Sequence, residues 1–196
     1  MKVYCNTFFD KRYICGLEYI QSEEKDMRNP RINRETTCCF SGYRPSKLPW
    51  KEDETDRRCI ALKIKLYDVL EALYEAGIRH FICGMANGSD MYFCEEALKL
   101  RDDREGVTVE AAIPCEEQAA TWDEKTRNRY FRLVSECDFE SMISNHYTSD
   151  CMLKRNMYMV DNSSVLVAVF DGKLGGTMHT VNYAKKQGLE IIEIAP

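Results

Sequence analysis

From Thr36 onward the chain alternates between two apolar rhythms. Short runs read as strands at Thr36–Ser41, Arg79–Cys83, Val107–Ile113 and Val165–Phe170, with a weaker one at Phe139–Ser144 and a last one at Glu190–Ile194. Val165–Phe170 is apolar throughout, the pattern of a strand buried on both faces in a parallel sheet. Between the strands the spacing turns helical. Asp53–Ala76 carries apolar residues at Ile60, Ile64, Tyr67, Leu70 and Tyr74, and Gly77 supplies the stop. Further helices are predicted over Ser89–Leu100, Glu116–Ser135 (broken near Thr121), Asp150–Val160 and Thr177–Lys186. Strands alternating with helices predict an α/β fold: a Rossmann-like, doubly wound, mainly parallel sheet with helices on both faces and right-handed crossovers.

Residues 1–35 follow another pattern. Val3–Phe9 and Tyr13–Ile20 read as two short strands, and the polar run Gln21–Glu35 contains Asn29-Pro30. The expectation is an N-terminal appendage and linker over 1–35, followed by one Rossmann-like domain over 36–196.

Composition narrows the class. The 196 residues, 44% hydrophobic and 30% charged, suit a globular domain of this size. No apolar run approaches the roughly 18 residues of a membrane span, and the first residues lack a signal-peptide pattern. A cytoplasmic location follows as the expectation. The net charge of −5 argues against a duplex-binding face, so a nucleic-acid partner is not expected. Ten cysteines occur without a CxxC pair, and Cys39, Cys83 and Cys94 fall in predicted strands or on a helix. Buried reduced thiols explain that placement better than a zinc site, so no metal is expected.

Three strand ends carry glycine: Phe40-Ser41-Gly42-Tyr43-Arg44-Pro45, Cys83-Gly84-Met85-Ala86-Asn87-Gly88-Ser89-Asp90, and Asp171-Gly172 through Gly175-Gly176-Thr177. One glycine turn is weak, because glycine commonly only reverses the chain. Three at one edge of a parallel sheet point to a shared ligand cleft. The last one joins a strand directly to a helix start, an arrangement that aims backbone N–H groups and a helix dipole at phosphate. Neither G-x-G-x-x-G nor G-x-x-x-x-G-K-[ST] occurs, which argues against ATP hydrolysis of the second type.

FSGYRP, GMANGSD and KRNMYMVDNSSVLVAVFDGKLGGTMHTVNYAKK, taken in order, resemble the SLOG superfamily, in its YpsA/YoqJ-like branch (the DUF1273 group). Gln118 and Trp122 in CEEQAATW fit the same branch, and the resemblance spans about residues 36–196. It implies a Rossmann-like fold, homo-oligomers, and binding of nucleotides or nucleotide-derived ligands. The superfamily also holds LOG phosphoribohydrolases and DprA DNA-processing proteins. On this resemblance Gly175, Gly176 and Thr177 hold phosphate. Ser41, Gly42 and Arg44 line the cleft, with Gly84, Ala86, Gly88 and Asp90 opposite. Arg155 matches an active-site arginine of LOG enzymes. Those enzymes carry a glutamate just after the glycine-threonine turn, where this chain has Met178-His179-Thr180. Glycosidic cleavage needs a carboxylate, so LOG-type hydrolysis requires Asp90, Asp171 or another acid in that role.

Each candidate has a plainer reading. Arg155 is either an oxyanion clamp or a solvated helix residue. Asp90 is a ribose ligand, a general base or a helix-start acid. His179 is an acid/base or a half-exposed surface residue, and Arg44 a ligand contact or a surface charge. His80 and His146 lack partners at metal spacing and read as structural. Trp122 either stacks on a base or closes the core, and core is the favoured reading. Tyr67, Leu70, Leu73 and Tyr74 read as a core stripe with a dimer face as the alternative, and Lys51–Arg58 as a solvated helix start. The expected function is binding of a nucleotide or an NAD/ADP-ribose-like phosphorylated ligand, as a sensor or regulatory protein. The alternatives are an N-glycosidase or NAD/ADP-ribose hydrolase using Asp90, Arg155 or His179, and, less favoured, a DprA-like single-stranded DNA partner.

Overall fold

A computed structural model describes residues 32–196 of the protein. The expected strands at Val3–Phe9 and Tyr13–Ile20 lie outside the described residues. Within them, six strands form one parallel sheet: β1 Thr37–Gly42, β2 His80–Cys83, β3 Thr108–Ile113, β4 Phe139–Met142, β5 Val165–Val169 and β6 Glu190–Ile194. Their order is β4-β3-β2-β1-β5-β6. The chain moves outward from β1 to β4, then crosses back to place β5 beside β1. Cys38 pairs with Val165 and Gly42 with Val169, so the C-terminal ends of β1 and β5 lie side by side. This is the topological switch point, where a doubly wound sheet opens a crevice.

Right-handed crossovers fix the layers. Helices α1 (Arg57–Glu75), α2 (Ser89–Asp103) and α3 (Glu124–Glu136) cover one face. Helices α4 (Cys151–Asp161) and α5 (Gly176–Lys186), on the return path, cover the other. β5 is buried at every residue, as its unbroken apolar run requires. The described chain is tied to the sheet from its start: Asn33 caps a turn over Arg34–Thr36, and Arg34 Nε donates to the Ser163 carbonyl at 2.9 Å.

Local chemistry sets the boundaries. Asp53 closes its own small turn by accepting from the Thr55 amide, so α1 starts four residues later, where Asp56 accepts from the Arg58 amide. The expected break near Thr121 is present: a 3₁₀ turn at Glu116–Ala119 ends, and Asp123 caps a new helix through the Thr126 amide. Trp122 packs edge-to-face on Tyr130 at 5.4 Å and lies partly buried against the core. The described cysteines are free thiols, all buried except the half-buried Cys137.

One expectation is corrected. The buried face of α1 is Cys59, Leu62, Leu66, Leu70 and Leu73, whereas Ile60 and Ile64 are 46% and 59% exposed. Two apolar series with helical spacing interleave on this helix, and periodicity does not choose between them. Packing does. Leu66 and Leu70 are fully buried in the core, while Tyr67 and Tyr74 sit at the margin with their hydroxyls on Asp103 Oδ2 and the Glu105 carbonyl.

Candidate functional site

Strand ends and helix starts converge at the switch point around a cavity of about 200 Å³. It is lined by Ser41, Gly42, Tyr43 and Arg44 from the end of β1, and by Ser46 and Lys47 from the next turn. Ala86 and Asp90 come from the second glycine loop, Met152, Arg155 and Asn156 from α4, and Gly176 and Thr177 from α5.

The loops are locked to one another. Tyr43 offers its carbonyl to both the Ser89 amide and the Ser89 hydroxyl, at 3.1 and 2.8 Å. Gly42 leaves room for this: a Cβ there would collide with Ser89 Oγ and approach the Phe40 ring at 2.8 Å. Gly88 has φ +100, and a Cβ would lie 2.8 Å from the Tyr43 carbonyl oxygen, so only glycine suits the start of α2. Met85, buried in the same loop, holds a left-handed φ of 58, rare for a side-chain-bearing residue. Gln118 clamps it by donating to the Met85 carbonyl at 2.6 Å. Strained backbone held by its surroundings is common at binding sites.

The third loop closes the opposite wall. α5 begins at Gly176 with no side-chain cap, leaving first-turn amides directed at the cleft. Thr177 Oγ1 donates to the Gly42 carbonyl at 3.2 Å, which fixes the helix start against β1. Lys47 Nζ donates to the Leu174 carbonyl at 3.1 Å and packs where a side chain at Gly175 would collide with it. Arg44 and Lys47 stand three residues apart across the 3₁₀ turn Pro45–Lys47, a spacing that stacks side chains.

Two buried charges sit at the floor. Arg155 is 5% exposed and Asp90 4% exposed. A Cβ at Gly84 would collide with Arg155 Nη1 and lie 2.9 Å from Asp90 Oδ2, so the missing side chain makes room for both groups. Asp90 Oδ2 accepts from the Ala86 amide at 3.3 Å. Burial pushes the Asp90 carboxyl up, against the pull of Arg155. Burial likewise pulls the Arg155 guanidinium down. Arg155 Nε donates to Asn156 Oδ1 at 2.8 Å, Asn156 Nδ2 to Thr180 Oγ1 at 2.9 Å, and Thr180 Oγ1 to the Gly176 carbonyl at 3.1 Å. This chain ties the arginine to the first turn of α5. Arg155 Nη1 is nevertheless buried without a partner among the described residues.

Of the residues expected to form the site, Ser41, Gly42, Arg44, Ala86, Asp90, Arg155, Gly176 and Thr177 line the one cavity. Gly84, Gly88 and Gly175 lie outside its lining and shape it from behind. Asp171 is outside too: hydrogen bonds from Lys173 and Tyr43 hold its carboxyl at about 2. His179 is exposed on α5 and away from the lining, so Asp90 is the carboxylate that lines the cavity. Sequence reasoning missed Tyr43, Ser46, Lys47, Met152 and Asn156 as lining residues. Lys47 had a signal, its three-residue spacing from Arg44 beside Pro45. Asn156, next to Arg155, had one only once the helix direction was known.

These features define a Rossmann-like α/β protein with a polar cleft at its switch point. The chain belongs to the YpsA family, described as the YspA SLOG family, whose model matches residues 38–192. It is similar to the uncharacterised SPbeta prophage-derived protein YoqJ of Bacillus subtilis strain 168, 31% identical over 140 residues, 65% of this chain and 82% of that protein. It is also similar to the UPF0398 protein YpsA of the same strain, 24% identical over 152 residues, 76% of this chain and 83% of the relative. Among solved structures, the DNA processing protein A of Helicobacter pylori, described for its single-stranded DNA binding mode, aligns with a TM-score of 0.56 and 14% identity. That alignment covers 87% of this chain and 68% of the other, and shows a shared fold.

Proposed function

We propose that the cleft binds a phosphorylated small molecule, a nucleotide or nucleotide-derived compound, and that the protein acts as a sensor or regulatory module. The observation that carries this reading is Arg155. A guanidinium taken out of water with an unpartnered N–H costs several kcal/mol unless an anion meets it. Arg44 and Lys47 add two cations at the same cleft, and the start of α5 adds free amides. Against these stands Asp90, whose burial favours its neutral form. The balance is that of an anion site. Arg44, Lys47 and the amides of Gly176 and Thr177 receive the phosphate. Arg155 serves as the inner clamp, and Asp90 and Asn156 take sugar hydroxyls.

Thermal-shift screening of the purified protein, freed of bound ligand, against nucleoside mono-, di- and triphosphates, NAD and ADP-ribose tests this. A ligand at 100 times its dissociation constant stabilises by about 2.7 kcal/mol. The shift is expected to vanish in Arg155→Ala and Thr177→Ala. No shift with any of these ligands overturns the reading. Release of free base or nicotinamide from a ligand that binds would move the protein to the hydrolase class, with Asp90 as the acid that lines the cleft. A salt-dependent shift of a labelled oligonucleotide, without response to nucleotides, would favour the activity described for the Helicobacter relative.

A further inference from the structure

We infer that the groove between α1 and α2 docks a basic amphipathic helix presented by a protein partner. The groove lies in the helix layer opposite α4 and α5, and its described lining residues are all distinct from those of the cleft.

Its floor is apolar. Ile60, Ile64 and Tyr67 line it at helical spacing, which sets them in one stripe along the outer face of α1. Both isoleucines are exposed. Helix propensity does not ask for isoleucine at such positions, where alanine, lysine or glutamate serves better. Single exposed apolar residues are ordinary, but a contiguous stripe marks a contact surface. The groove measures about 690 Å³. A floor this exposed does not enclose a small molecule, whose sites bury most of the ligand. It matches the apolar face of a helix laid along it.

The rim is acidic. Glu54, Asp68, Glu96, Asp102 and Asp103 face two lysines, and both lysines are already paired. Lys63 Nζ meets Glu54 at 2.6 Å, and Lys99 Nζ meets Glu96 at 2.8 Å. Arg101, outside the lining, meets Asp102 at 3.1 Å. The Asp103 carboxylate accepts from the neutral Tyr67 hydroxyl at 2.9 Å and has no ion pair among the described residues. Asp68 has no partner among them. The surplus charge is complementary to lysine and arginine. It repels nucleic-acid phosphates and the same groove of a second copy.

Fluorescence anisotropy of the full chain with a labelled helical peptide of about 18 residues, leucines on one face and lysines on the other, tests the inference. The control is the same peptide with glutamates for lysines. The lysine peptide is expected to bind at least about tenfold tighter than the control, with an affinity that falls as salt rises. Ile60→Ala/Ile64→Ala is expected to weaken it at least about tenfold, and Asp68→Asn/Asp103→Asn about threefold to tenfold with a flatter salt dependence. Phe131→Ser, which removes an exposed aromatic on α3, is expected to change nothing. Zero-length carbodiimide cross-linking is expected to join peptide lysines to Asp68 or Asp103. Failure of the lysine peptide to bind, or equal binding of the two peptides, overturns the inference. So does an equal loss in Phe131→Ser, the mark of general adhesion. Cross-links from the two aspartates to Lys2, Lys11 or Lys25 of the same chain would give the groove to the N-terminal residues. A dimer abolished by the isoleucine variant would give it to a second copy. Either result overturns the inference too.

Discussion

Arg155 occupies a place that a stability-driven sequence would give to an apolar residue. Its alkyl stem could be replaced by Met without loss of volume, and its head group lacks a full set of partners. Exchanging buried charges for apolar or neutral groups of similar size is often neutral, or stabilising by about 1–4 kcal/mol. The double variant Arg155→Met/Asp90→Asn is therefore expected to unfold in urea at or above the midpoint of the parent and to lose every response to phosphorylated ligands. A double variant markedly less stable than the parent would show that the two charges serve the fold. Gly88 makes the opposite case. Its φ of +100, and a carbonyl oxygen 2.8 Å from where a Cβ would stand, tie it to structure, and Gly88→Ala is expected to cost about 1–3 kcal/mol in the same assay. At this scale the glycines were legible as a group, and their division of labour was not. Gly42 and Gly176 line the cleft, while Gly84, Gly88 and Gly175 keep side chains from colliding behind it. That distinction depends on which loop meets which, a long-range fact that one local turn does not encode.

Among the elements, α1 shows where pattern reading stops. Ile60 and Ile64 fall at good helical spacing with Tyr67, yet Leu62 and Leu66 are the residues that pack. The expected consequence is a contrast measured by urea unfolding: Leu66→Ala costs about 2–5 kcal/mol as a fully buried leucine, and Ile64→Ala stays within about 0.5 kcal/mol. Equal losses at the two positions would restore the stripe first expected from the sequence. The strands were far more legible. β5 is an apolar run with one reading, and parallel strands buried on both faces leave no face to misassign. The helix α4, by contrast, showed only that Arg155 lay on a helix. Its burial comes from the crossover that returns the chain from β4 to β5 and lays α4 over the switch point.

Across the whole molecule, the layers are joined at one buried carboxylate far from the cleft loops. Glu110 on β3 is 2% exposed. It accepts from Tyr158 of α4 at 2.7 Å and meets His80 Nε2 of β2 at 2.9 Å, while the Tyr158 hydroxyl also reaches Ser141 of β4 at 3.1 Å. Three strands and the helix that carries Arg155 are thus tied through a single side chain. Burial alone would raise the Glu110 carboxyl, but hydrogen bonds from His80, Tyr158 and Ser141 outweigh it and hold it below its ordinary 4.5. A carboxyl depressed in the fold contributes stability that is fully present above the unfolded value and is lost as pH falls through the folded one. Glu110→Gln is therefore expected to lower stability by about 1–3 kcal/mol at pH 7, and the gap from the parent is expected to close as the solution is acidified below 4.5. Urea unfolding of both proteins across that range measures it. A gap that stays constant with pH would mean that shape, and not the ionised carboxylate, joins α4 to the sheet. A gap that closes would show that the helix carrying Arg155 is held from beneath by an ionised carboxylate, so that acid loosens the cleft wall through the core.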